Sequence, residues 1–241
     1  GALLESMRGL GYTTGTALAD IVDNSISAGA SLVEIQFTWL GDESRISVLD
    51  DGSGMSDCEL ESAMRLGDKN PLVVRHASDL GRFGMGLKTA SLSQCRRLTV
   101  ASAKNGQISC LRWDLDALAN APDAGWLLFE GAAEGSEQLV QQLACDKPGT
   151  LVLWERLDRV VTAGFKLDDF NQLIDRVEAH LAMVCHRMLE GPAPRFVLRI
   201  NGRQVRPWDP FLTGHPAKAW ASPVARTVTT SGEVSVECHV L

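Results

Sequence analysis

Four short stretches of this 241-residue chain carry side chains whose types and spacing can do chemistry. The run Gly81-Arg82-Phe83-Gly84-Met85-Gly86-Leu87-Lys88 feeds the start of an expected helix. Glycines there leave backbone N–H groups free to point at an anion, and the helix dipole adds to their pull. The order G-x-x-G-x-G differs from the Rossmann fingerprint and from a Walker A loop. The run Asp50-Asp51-Gly52-Ser53-Gly54-Met55 ends an expected strand. Its glycines let a ligand approach the backbone, and the carboxylate before them can accept from an exocyclic amine. A plain tight turn explains such a run equally well. Asn24 and Ser27 each project within about 40° of Asp20 on a helix. They lie opposite Leu18, Ile21, Val22 and Ile26, as polar residues do on any surface helix. Gly149-Thr150, at the head of an expected strand, says nothing alone.

The elements that must position these residues follow from periodicity. Residues 16–28 keep helical spacing up to Gly29, a natural C-cap. Alternation predicts strands over 33–39 and 46–50, with a turn at Gly41-Asp42. Helices are expected over 56–66 and 87–95, and a long polar loop over 67–83. Further strands are expected over 97–103, 107–113, 126–130 and 150–155. Residues 131–147 read as loop with a short helix. From Leu167 to Met188 an apolar stripe predicts one helix of six turns, broken by Gly191-Pro192-Ala193-Pro194. A hairpin is expected over 195–206 around Asn201-Gly202, and one or two strands over 226–241. The simplest architecture is α+β, a mixed sheet with helices on one face.

Composition narrows the class. Hydrophobic residues make up 45% and charged residues 22%, the balance of a folded soluble domain. No apolar run nears the roughly 20 residues that span a bilayer, and the first residues lack signal-peptide character, so no membrane role and a cytoplasmic location are expected. The six cysteines form no Cys-x-x-Cys pair and no zinc pattern with the five histidines. A net charge of −7 argues against a general nucleic-acid binder but leaves room for a local basic patch.

Taken together and in order, the four stretches resemble the GHKL ATPase superfamily, named for gyrase, heat-shock protein 90, histidine kinases and MutL. The likeness spans about residues 14–156. Residues 19–30, ADIVDNSISAGA, are similar to the N box of MutL and gyrase, and residues 81–89 are most similar to MORC-type and bacterial MORC-like ATPases. The resemblance implies a Bergerat-type two-layer sandwich over 1–194 and the beginning of a transducer-like second domain over 195–241.

It also implies ligands and roles. ATP is expected to bind with Mg²⁺. Asn24 would hold the ion, for which an amide oxygen is a suitable hard ligand. Asp50 would accept from the adenine amino group, supported by the Thr150 hydroxyl. Gly52 and Gly54 would keep that wall open and Met55 would pack on the base. Gly81, Gly84, Met85, Gly86 and Leu87 would form the phosphate loop. Lys88 would either add a charge at the γ-phosphate or sit solvated on its helix. Residues 67–83, with Lys69, Arg75, His76 and Arg82, stand where the superfamily has its ATP lid. Asp20 would orient or activate the attacking water, where the hydrolysing relatives have glutamate. Aspartate is about 1.3 Å shorter, and misplacement of that size can cost ~100-fold, so turnover is expected to be slow. Ser27 is a second departure, at a position where relatives often have aspartate. An ATP-dependent homodimer is implied, with a macromolecular client for which DNA is one candidate, reached through regions outside this chain. A nucleotide switch with little hydrolysis stays open. A histidine kinase would need a phospho-acceptor histidine before the N box, and none precedes Asp20.

Overall fold

The computed structural model describes residues 8–9, 11–65, 86–120, 127–144, 146–212, 220–230 and 232–240. Helix α1 (Thr14–Ser27) starts at a reciprocal cap. The Thr13 hydroxyl accepts from Thr16 N (3.2 Å), and Thr13 N donates to Thr16 Oγ1 (3.0 Å). Such a cap satisfies two N–H groups that the helix leaves over. Ala28 ends the helix, and Gly29 follows with φ of 75°. Strands β1 (Leu32–Thr38) and β2 (Arg45–Asp50) form an antiparallel hairpin that delivers Asp50 beside Val33.

After α2 (Asp57–Met64) and α3 (Gly86–Leu92) come β3 (Arg97–Lys104), β4 (Gln107–Asp114), the short helix α4 (Leu115–Asn120), β5 (Phe129–Glu130), α5 (Glu137–Val140) and β6 (Gly149–Glu155). The long helix α6 (Leu167–Val184), the single turn α7 (His186–Leu189), β7 (Val197–Ile200) and β8 (Arg203–Gln204) complete the main body. Its eight strands run in the order β5-β4-β3-β6-β2-β1-β7-β8. Only the β1–β7 pairing is parallel, so the sheet is mixed.

Helix α1 lies against α3 and α6. Leu18, Ile21 and Val22 of α1 and Phe170, Val177 and Leu181 of α6 meet Val33, Ile35, Val100 and Trp154 of the sheet in one core. Each such buried side chain contributes on the order of 1.5–3 kcal/mol. This is the expected α+β sandwich. The opposite face of the sheet is covered at one end, where Leu143, with Leu139 and Val140, packs on Ala101, Ala103 and Leu151. That explains why β6 is buried along nearly its whole length instead of alternating.

Three expectations change. The stripe from Leu167 to Met188 is not one helix: α6 ends at Val184, and Cys185 (φ −96°, ψ 2°) turns the chain so that His186 and Leu189 bury while Val184 is exposed. Helix α4 follows β4 directly, where no element was expected; Asp114 Oδ1 accepts from Ala117 N (3.1 Å) and caps it. The strands expected to open a second domain join the first, because β7 pairs with β1 through Val33↔Leu198 and Ile35↔Ile200. The expected boundary at residue 195 thus falls inside the main sheet. Beyond it, β10 (Ala225–Thr229) and β11 (Gly232–Val236) form a separate exposed hairpin, and β9 (Trp220–Ala221) pairs with β12 (His239–Val240).

Candidate functional site

Asp50 ends β2, and the register sets Thr150 of β6 directly beside it, with Ser102 of β3 beyond. The Asp50 carboxylate is buried, at 8% exposure. Its Oδ2 accepts from Ser25 Oγ of α1 (2.7 Å) and its Oδ1 from Gly52 N (2.9 Å). Burial pushes its pKa above the ordinary value, against the hydrogen bonds from Ser25, Gly52 and the Thr150 backbone, which lower it. The neighbouring Asp51 faces elsewhere. Its carboxylate accepts from Ser31 N (2.7 Å) and Leu32 N (2.8 Å). Of the two adjacent acids, Asp50 therefore belongs to the helix–sheet junction and Asp51 to the loop before β1.

The glycine turn after Asp50 is pressed onto the sheet. Gly54 has φ of 63°, and a Cβ there would stand 2.0 Å from the Ala103 carbonyl oxygen, so only glycine fits. Gly52 is also tight, since a Cβ would lie 2.9 Å from Ala28 Cβ. Ser102 pins the turn. Its hydroxyl accepts from Met55 N (2.8 Å), donates to Gly149 O (2.9 Å) and meets Thr150 Oγ1 (2.9 Å). With the Ser102 proton on Gly149, the Thr150 hydroxyl is the donor in that pair. Thr150 thus supports Asp50 through its main chain, while its hydroxyl holds Ser102. Met55 is half-buried against the core.

In the middle of α1, Asp20 stands close to the head of α3. A Cβ on Gly86 would lie 3.6 Å from Asp20 Oδ2. The same oxygen accepts from the Tyr12 hydroxyl (2.8 Å). Asn24 is exposed one turn on, and Asp23 beside it has its pKa raised by burial and by the charge of Asp20. From Asp20 to Ser25 the helix rises about 7.5 Å. One helix thus carries the contact to Asp50, the exposed amide and the carboxylate facing α3.

Lys88 is not solvated on its helix. It is buried, at 2% exposure, and its Nζ donates to the carbonyls of Ala63 (2.7 Å) and Arg65 (2.6 Å). The amine caps the C-terminal end of α2, where last-turn carbonyls lack helical partners. Leu87 packs against the core. Gly81, Gly84 and Met85, and the expected lid over 67–83, lie outside the described residues.

Three residues of the site, Ser25, Ser102 and Tyr12, received no role from the sequence, although Ser25 lies within the stretch 19–30. Ser25 carried a signal: it falls in phase with Leu18, Ile21 and Val22, so a buried hydroxyl needing a partner was to be expected. Ser102 carried none, because its role depends on the pairing of β3 with β6.

Residues 12–150, more than half of the chain, match the family model described as histidine kinase-, DNA gyrase B-, and HSP90-like ATPase. The chain belongs to this GHKL ATPase family. It is 30% identical over 191 residues to the DNA mismatch repair protein MutL of Rhodospirillum rubrum, covering 78% of this chain and 27% of that protein. It is 31% identical over 96 residues to the ATPase morc-1 of Caenorhabditis elegans, covering 40% of this chain and 11% of that protein. The GHKL domain thus spans a small part of these relatives' lengths. No helix among the described residues is long and apolar enough to cross a membrane, and none of their His, Cys, Asp and Glu side chains group into a metal-holding cluster. The exposed Asn24 amide oxygen fits a Mg²⁺ ion that arrives with triphosphate and keeps most of its water and phosphate ligands.

Proposed function

We propose that this GHKL domain binds ATP with Mg²⁺ and hydrolyses it slowly to ADP and phosphate. The observation that carries the reading is the double attachment of α1: Ser25 to Asp50 near its C-terminal end and Asp20 beside Gly86 at its middle. Asp50 receives the adenine amino group, with Ser25 and Gly52 holding its oxygens in place. Gly81, Gly84, Met85, Gly86 and Leu87 offer N–H groups to the phosphates, and Asn24 holds the ion. Bound Mg²⁺ would supply charge neutralisation at the triphosphate. Asp20 takes a proton from the attacking water as its oxygen bonds to the γ-phosphorus. The bond to the β-phosphate oxygen breaks, and ADP leaves.

The nucleotide cycle drives closure of the 67–83 lid and brings two copies together, coupling it to a macromolecular client. The mismatch-repair relative makes DNA our first choice of client, through regions outside this chain, and the MORC-like branch is our placement within the superfamily. The shortened carboxylate at Asp20 also favours a second reading, a nucleotide switch with little turnover.

Phosphate release by the parent chain and by Asp20→Asn separates the two. We expect slow release by the parent, at least tenfold less by the variant, and equal ATP affinity in both. Equal release by parent and variant removes Asp20 as the base. No release by a parent that binds ATP favours the switch.

A further inference from the structure

Tyr12 is the only tyrosine of the chain, and it sits two residues before α1. Its half-buried hydroxyl donates to Asp20 Oδ2 at 2.8 Å. The Thr89 side chain, one turn into α3, hydrogen-bonds the same phenol. The phenol therefore links the carboxylate on α1 with the helix that the glycine run feeds. The backbone of Tyr12 is held from the same side. Gln94, just past α3 and buried, donates from Nε2 to Tyr12 O (3.3 Å) and accepts from Thr14 Oγ1 (2.8 Å). Three contacts thus tie one residue across the α1–α3 seam, beside the point where Gly86 approaches Asp20.

This arrangement answers a need. An aspartate has one fewer methylene than glutamate, and its carboxylate can swing on χ1 and χ2. A donor fixed on one oxygen holds the carboxylate in one rotamer and leaves the other oxygen for water. Fixing a group within a fraction of an ångström is worth large rate factors, and a hydrogen bond to a charged group is among the stronger ones.

We propose that Tyr12 is a positioning residue for hydrolysis: its hydroxyl aims Asp20 at the attacking water and couples that aim to α3 through Thr89. The proposal rests on the ATPase reading of the site. Tyr12 acts through Asp20 and touches neither phosphate nor base.

The test compares the parent with Tyr12→Phe, Asp20→Asn and the double variant in steady-state ATPase titrations, with thermal melts of each. Tyr12→Phe removes one oxygen and keeps the ring. It is expected to lower kcat roughly tenfold or more, with KM for ATP unchanged and the melting midpoint within about 3 °C. In the Asp20→Asn background the same change is expected to alter residual turnover less than about twofold, because the group it acts through is gone. Thr89→Val, which removes the second hydroxyl, is expected to lower kcat in the same direction by a smaller factor, and it decides the matter if Tyr12→Phe does not fold. An unchanged kcat in Tyr12→Phe, a rise in KM alone, or an equal fold-loss without Asp20 overturns the proposal. So does a fully active Thr89→Val for the coupling to α3. A parent that binds ATP but never releases phosphate overturns the ATPase reading, and this inference with it, whereas an active parent indifferent to Tyr12→Phe overturns this inference alone.

Discussion

Gly54→Ala isolates the close approach that shapes the proposed adenine wall. The added Cβ would stand 2.0 Å from the Ala103 carbonyl oxygen and 3.0 Å from its carbon. An ordinary contact needs more than a further ångström, and the obstacle is backbone in the middle of the sheet, so the turn must move. The left-handed φ of 63° costs a non-glycine residue about 1–2 kcal/mol. Moving the turn also breaks the bond from Met55 N to Ser102 (2.8 Å) and strains that from Ser53 N to Ala28 O (2.9 Å), each worth about 0.5–1.5 kcal/mol. The expected loss is about 2–4 kcal/mol, or roughly 5–15 °C in melting midpoint for a chain of this size. Gly106→Ala is the matched control. It shares a left-handed φ, of 79°, but nothing lies within 4 Å of its Cβ, so it should lose only the conformational part. Thermal melts and ATP calorimetry of both variants make the comparison. Gly54→Ala should also bind ATP at least tenfold more weakly, while Gly106→Ala should match the parent. If the two variants melt together and bind alike, the pressed turn does not shape the site.

Asp50→Asn should separate stability from binding. The folded carboxyl titrates above its ordinary value of 3.8, so the native state holds the proton more tightly than the unfolded chain. Its contribution to stability is therefore largest at low pH and falls as pH rises from about 3.8 through the raised value. Asparagine lacks this dependence, so urea melts should show the variant gaining on the parent between pH 4 and 7. Its ATP affinity should nonetheless fall by at least tenfold, because an amide presents a donor where the adenine amine also donates; parallel pH curves would contradict the buried-charge account. Lys88→Met should cost about 1–3 kcal/mol in urea melts by leaving the Ala63 and Arg65 carbonyls without their amine. Unchanged stability with weakened ATP binding would instead assign the amine to the phosphates.

Much of the site was legible because it lies in local signals. The helix of Asp20 and Asn24 announced itself through its apolar stripe and its end at Gly29. Asp50 was marked by a strand running into two glycines. What stayed hidden was set by pairing between distant segments. Ser102 reaches Met55 and Thr150 only because β3 lies between β4 and β6. The strands near residue 200 read as a new domain because a hairpin pattern says nothing about a parallel partner 165 residues earlier. Lys88 is a related case: its neighbours in sequence suggest phosphate, while two of its partners in space are the last carbonyls of α2.

The proposed Mg·ATP site is made by α1, the Asp50 turn and the glycine run together. It is tested most directly by calorimetric titration of ATP into the chain with and without Mg²⁺, repeated with Asn24→Ala. One site per chain is expected, tightened by Mg²⁺ in the parent and indifferent to it in Asn24→Ala. No binding by the parent at millimolar ATP would contradict the account.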